Sequence, residues 1–225
     1  MTGNGPTSSA QSTQQWWPLL RKLRSRDPWP LLLVVHGQSG GVLPSLLEPW
    51  LAPLAAQRGA PVWVQALTAE PLLLPPAQRL LLVPLLLTPG SHVRHDIPAI
   101  RQRLRGAGHR VVALPFLGAW EPWLEHLAML AAAVNGGTLL HHPLRAGVAD
   151  RYLEALQQRL GLMPVSAIGS AASQSGAADG QDPLPLALAP NRMTAQLQDA
   201  GIAAPALLER PATRDLVFNL LLNLP

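Results

Sequence analysis

Apolar residues in this chain gather into short unbroken runs and into longer stretches where they recur every three or four positions. Leu31 to Val35 (LLLVV) and the run opening at Leu80 (LLLVPLLL) are unbroken, the pattern of strands buried on both faces of a parallel sheet. Between them, Leu46, Leu47, Trp50, Leu51 and Leu54 carry helical spacing and predict a helix from about Pro44 to Arg58, with Pro49 and Pro53 making its middle irregular. Pro61 to Leu67 reads as a second strand, and the proline-rich Pro71 to Gln78 as a short crossover into the Leu80 strand. After Pro98, AIRQRLRGAGHR reads as a short basic helix closed by glycines. Val111 to Phe116 is the next strand and Trp120 to Val134 the helix after it. This alternation predicts an α/β fold with parallel strands and helices on both faces.

The second half repeats the first in the same order. The segment from Thr138, TLLHHPLRAGVADRYLEALQQRL, parallels the first strand, turn and helix, with His142 opposite His36. PLPLALAPNRMTAQL, from Pro183, parallels the Leu80 strand, setting Pro185 and Pro190 opposite Pro84 and Pro89, and Met193 opposite His92. Leu144 and Arg145 stand where the first half has its serine-glycine turn. The expected organisation is a flexible leader over residues 1–28, a first lobe over 29–135 and a degenerate second lobe over 136–225. The small-residue stretch from Ser166 to Asp182 reads as a loop in that second lobe. The fold class expected is therefore α/β in two similar lobes, each a parallel sheet flanked by helices, related by an internal repeat.

Composition narrows the function classes. The chain holds 225 residues, 48% hydrophobic and 13% charged, enough for a core of ordinary size. Having no cysteine, it forms no disulfide, thiolate zinc site or cysteine-ligated iron–sulfur cluster. Apolar runs are too short and too often broken to span a bilayer, and the basic residues near the start follow the WWPLL patch, the reverse of a signal peptide's order. Cytoplasmic location with no membrane partner is the expectation. A net charge of +4, scattered in position, with few tyrosines and phenylalanines, does not suggest nucleic acid. No P-loop is present, so no nucleotide is expected.

Chemistry concentrates where two strands end. His36 closes the first strand and leads into Gly37-Gln38-Ser39-Gly40-Gly41; Pro89-Gly90 breaks the Leu80 strand just before His92, His95 and Asp96. In open α/β sheets that edge binds ligands. The stretch PLLLTPGSHVRHDIPAI, together with HGQSGG after the first strand, resembles the CbiX-type sirohydrochlorin chelatases, class II enzymes that insert cobalt or iron into a tetrapyrrole. The resemblance implies a two-lobed long form acting in cobalamin or siroheme biosynthesis, with the tetrapyrrole between the lobes and the divalent metal as substrate. It makes His92, the histidine after Pro-Gly, a catalytic metal ligand, and extends to His36. Neutral imidazole holds cobalt or iron loosely enough to release it, and a base must take the protons displaced from the pyrroles.

Other residues carry weaker expectations. The family shows a glutamate after its second strand; here QALTAEPLLLP puts Thr68 nearest that place and Glu70 two residues on. A shifted loop would make Glu70 the third catalytic group, and a strict register leaves no carboxylate. Asp96 is expected to accept backbone N–H groups at a helix start, with orientation of a histidine as the alternative. Among the basic cluster Arg94, Arg101, Arg103 and Arg105, Arg94 is the best candidate to meet a substrate carboxylate. Gly37 and Ser39, in the turn, are the further substrate-binding candidates. His95 reads as solvated, His109, His126 and His141 as structural, and Trp50, Trp63, Trp120 and Trp123 as core. Two rival readings stand beside the chelatase: a non-catalytic tetrapyrrole or metal carrier, and a serine hydrolase using Ser39, because Gly37 to Gly41 also fits G-x-S-x-G. A homo-oligomer is compatible with all three.

Overall fold

A computed structural model describes residues 27–76, 78–134, 137–145, 147–167 and 183–225. The expected leader up to residue 26, and residues 168–182 of the expected loop, lie outside them. Ser166, placed in that loop by its composition, instead ends a strand.

The first sheet holds β1 (Leu31–Val35), β2 (Val62–Ala66), β3 (Arg79–Pro84) and β4 (Arg110–Ala113), in the order β2-β1-β3-β4 with every pairing parallel. The second holds β5 (Thr138–His141), β6 (Met163–Ser166) and β7 (Leu184–Pro185), in the order β6-β5-β7, also parallel. Within the first sheet successive side chains serve opposite faces: Leu31, Leu33 and Val35 join one apolar cluster, Leu32 and Val34 another. Both faces being buried, the strand reads as an unbroken apolar run.

Helices follow the strands: α1 (Glu48–Arg58), α2 (Ile97–Gly106), α3 (Glu121–Ala133), α4 (Val148–Leu160), α5 (Arg192–Asp199) and α6 (Pro211–Leu222). Helix α1 begins four residues after the expected Pro44. Pro49 then falls in the first turn, where its missing N–H removes no bond, while Pro53 is accommodated inside. Helical backbone begins before α2, in a π turn over His92–Asp96. There the Ile97 N–H bonds back to the His92 carbonyl, five residues earlier, and Pro98 has no N–H to offer the Arg94 carbonyl.

The internal repeat is visible in the hydrogen bonds. Leu85 N–H donates to the Val34 carbonyl at 2.8 Å, and Leu186 N–H to the Leu140 carbonyl at 2.7 Å. Val34 pairs with Pro84 and Leu140 with Pro185. His36 and His142 each follow two residues after those positions, so the two sheets bring their first strands to corresponding ends.

One apolar core serves both sheets, taking Leu31, Leu33 and Trp123 from the first half and Leu139, Leu184 and Leu221 from the second. Trp120 and Trp123 are buried within it, as expected of core aromatics. Trp50 and Trp63 are only half-buried; Trp50 meets Phe218 edge-on at 6.3 Å.

Two polar devices tie the halves together. Helix α6 packs back against α1 and α3. Its last carbonyls have no helical partner, and the buried Arg58 guanidinium of α1 supplies one. Arg58 donates to the carbonyls of Leu221, Leu222 and Leu224 at 2.8, 3.1 and 2.8 Å. It also reaches those of Trp29 and Pro225 at 2.9 and 3.0 Å. Burial pulls its pKa down to about 10, still charged at neutral pH and well placed at the negative end of the helix dipole. In the second device, the Tyr152 hydroxyl of α4 sits between the carbonyls of Leu87 and Gly118, at 2.8 and 2.9 Å. A β-carbon on Gly118 would lie 2.0 Å from the Leu87 oxygen and 2.7 Å from that hydroxyl, so only glycine fits.

Candidate metal centre and interlobe cleft

Gly37, directly after His36, has φ of 76°, and a β-carbon there would stand 2.5 Å from Ala66 Cβ and 2.7 Å from Thr68 Oγ1. Glycine therefore lets the turn lie against the loop after β2. Thr68 closes the contact by donating its hydroxyl to the Gln38 carbonyl at 2.8 Å. The exposed His36 ring lies with its Nδ1 2.9 Å from the Gly37 carbonyl. Because a carbonyl only accepts, Nδ1 carries the proton and the Nε2 lone pair is available.

His92 reaches the same condition by another route. Its Nδ1 lies 2.6 Å from Asp96 Oδ2, a pair that the π turn brings one turn apart. The carboxylate holds the proton on Nδ1 and again leaves Nε2 as the donor atom. Asp96 makes no capping bond at the start of α2. The expectation that it accepts backbone N–H groups is thus corrected: its carboxylate is engaged by the imidazole four residues earlier. The rings of His36 and His92 stand 4.9 Å apart, centroid to centroid, at 82° to one another. Two strand ends far apart in sequence bring two nitrogen donors together.

The pair lines one wall of a cleft of about 830 Å³ between the sheets. Leu85, Leu86 and Leu87 from the first half and Leu186, Leu188 and Pro190 from the second give it apolar walls. His142 faces in from the second half, and its Nε2 is 3.2 Å from Asn191 Nδ2. The Asn191 side-chain oxygen accepts from the Met193 and Thr194 N–H groups as the cap of α5, which fixes its amide with the nitrogen toward His142. His142 therefore accepts at Nε2 and is neutral. Burial first, then the imidazoles of His36 and His141, holds its pKa below the ordinary histidine range.

The remaining sequence candidates are distributed as follows. Gly37 lines the cleft; Ser39 opens a 3-10 turn over Ser39–Gly41. Helix α1 starts only at Glu48, so this segment lacks the direct strand-turn-helix connection of a nucleophile elbow, which counts against the hydrolase reading. Glu70 is exposed after β2 and is not among the cleft-lining residues, while Thr68 occupies the contact with the glycine turn. Arg94 and His95 are exposed beside the cleft, lining a smaller cavity. Arg103 and Arg105 bond to Gln65 and to the Val111 carbonyl. His109 accepts from the Gln78 N–H, His126 pairs with Thr213, and His141 donates to the His142 carbonyl, all structural contacts as expected. Met193, opposite His92 in the repeat, is buried in the apolar cluster around Leu197.

Asn191, Arg192 and Arg145 were not singled out as functional from sequence. Asn191 did carry a signal, an asparagine after proline and before an amphipathic helix. Among the described residues no group of three or more histidine, aspartate or glutamate side chains could hold a metal; His36 and His92 are the candidate donor pair that the fold brings together. No described helix is long and apolar enough to cross a membrane.

Comparison with solved structures finds the sirohydrochlorin chelatase SirB of Bacillus subtilis subspecies spizizenii, in complex with cobalt. The TM-score is 0.53 and the identity 16%, over 87% of this chain and 93% of that one. At this identity the likeness shows a shared fold. No family model and no curated protein matches the chain.

Proposed function

We propose that this protein is a metal chelatase that inserts a divalent ion, cobalt or iron, into sirohydrochlorin or a closely related tetrapyrrole. The observation that carries the reading is the His36–His92 pair, both Nε2 atoms available, on the wall of an apolar cleft. The fold shared with SirB, a protein described with cobalt, supports it. The apolar walls suit a flat macrocycle, and two protein donors leave most of the ion's coordination open to incoming ring nitrogens.

The exchange balances in atoms and charge. The ion leaves two imidazole lone pairs and the ring loses two pyrrole protons, so each Nε2 that releases metal becomes free to accept a proton. Asp96 stabilises the imidazolium formed on His92. Glu70 is left outside this scheme because it does not line the cleft. Location in the cytoplasm and the absence of a nucleotide, nucleic-acid or membrane partner are part of the same proposal.

The test is an absorbance time course of sirohydrochlorin with cobaltous or ferrous ion. Wild type should accelerate metal entry, His36→Ala and His92→Ala should abolish the acceleration, and Glu70→Gln should keep most of it. A second reading, a carrier that binds the tetrapyrrole without catalysis, is favoured by Thr68 standing where the chelatase motif has a carboxylate. Tight binding of sirohydrochlorin with no acceleration would establish the carrier and reject the enzyme.

A further inference from the structure

Beside the cleft lies a cavity of about 130 Å³, whose lining includes Gly90, Ser91, Arg94, His95 and Arg145. We infer that this notch is a carboxylate subsite that grips one acidic side arm of the macrocycle from both lobes at once. The inference rests on the reading of the larger cleft as the tetrapyrrole site and deepens it.

The chemistry of the lining is one-sided. Arg94 comes from the π turn of the first half and Arg145 from the segment between β5 and α4, and no acidic residue lines the cavity among the described residues. The acids closest in sequence are engaged elsewhere: Asp96 by His92, and Asp150 by the Gly147 N–H at 2.8 Å. Four other arginines among the described residues have hydrogen-bond partners: Arg58 in the helix-end carbonyls, Arg103 and Arg105 around α2, and Arg159 on Glu121. The side chains of Arg94 and Arg145 make no hydrogen bond or ion pair with the described residues, and both residues are exposed. Two uncommitted guanidinium groups on one small cavity match the planar, two-oxygen geometry of a carboxylate.

Size and connection point the same way. At 130 Å³ against 830 Å³, the notch is far too small for a tetrapyrrole and is suited to a short arm. Gly90 and Ser91 line both spaces, so the notch lies directly beside the cleft, within reach of a side arm on a ring held there. Arg145 stands, in the repeat, where the first half has its glycine turn. The second lobe, with methionine opposite His92, thus contributes binding charge to a site whose metal donors lie in the first.

The test titrates metal-free sirohydrochlorin into wild type, Arg94→Ala, Arg145→Ala and the double variant, following tetrapyrrole fluorescence, with cobaltous ion titrated separately by calorimetry. Arg79→Ala, at the opposite end of β3, controls for the loss of one positive charge. Each single variant should weaken macrocycle binding about tenfold or more, as expected for a lost charged hydrogen bond. The double variant should be weaker than either by much less than the product of the two effects, because both groups hold one carboxylate. Cobalt affinity should be unchanged. Arg145→Ala binding no worse than Arg79→Ala, or single effects that simply multiply, would overturn the subsite while leaving the chelatase reading standing. Wild type that takes up no macrocycle would overturn both.

Discussion

An imidazole can serve as a metal donor only through a nitrogen that does not carry the proton, and the two candidate donors reach that state through different neighbours. His36 relies on the Gly37 carbonyl, a fixed part of the backbone, whereas His92 relies on the Asp96 side chain, which can be altered alone. Asp96→Asn removes the charge that favours Nδ1–H and should lower cobalt affinity and insertion rate about 10- to 100-fold. Calorimetry and the absorbance assay measure the two quantities, and an unchanged cobalt affinity would mean that Asp96 does not position the ring. At this scale the sequence was legible where type and spacing coincide: two histidines, each at a strand end beside glycine or Pro-Gly. It was not legible for Asp96, because the residue before Pro98 looks like a helix cap until the π turn moves the helical backbone upstream. Nor did it show that Thr68 would be the residue touching the glycine turn, a contact that depends on how closely Gly37 approaches the loop after β2.

Elements end where their backbone groups find other partners, and α6 ends on a side chain from α1. Arg58 is buried among five carbonyl oxygens, four of them from the end of α6 and the residues just after it. Replacing it with a side chain of similar length and no charge, Arg58→Met, leaves those oxygens without their donors and should destabilise the protein by at least about 3 kcal/mol. Denaturant unfolding monitored by circular dichroism measures the loss. Strand positions were read closely from apolar runs, β1 to the residue, because burial on both faces leaves little else in the pattern. Helix starts were read less well. Prolines 49 and 98 lie within a turn of where α1 and α2 begin, and a proline tolerated in the first turn does not mark which residue opens the helix. The role of Arg58 was invisible for a different reason: four of its five partners are carbonyls over 160 residues away in sequence.

Across the whole molecule, the two sheets are joined by a shared apolar core, by the return of α6 onto α1 and α3, and by Tyr152 on the carbonyls of Leu87 and Gly118. Burial holds the phenol pKa well above the ordinary tyrosine range, so the hydroxyl stays protonated and able to donate throughout the working pH range. Tyr152→Phe should destabilise the protein by about 1 to 3 kcal/mol, read from thermal or denaturant unfolding. The repeat in the sequence announced two similar parallel sheets, and the resemblance to the chelatases, not the repeat, implied a cleft between them. It did not announce this bond, which joins residues that the repeat does not relate. Leu87 also lines the cleft, so the oxygen that receives the phenol belongs to the same residue that would touch a bound ring. An aromatic strut from the second half is thereby anchored directly behind the wall of the opening that the first half contributes.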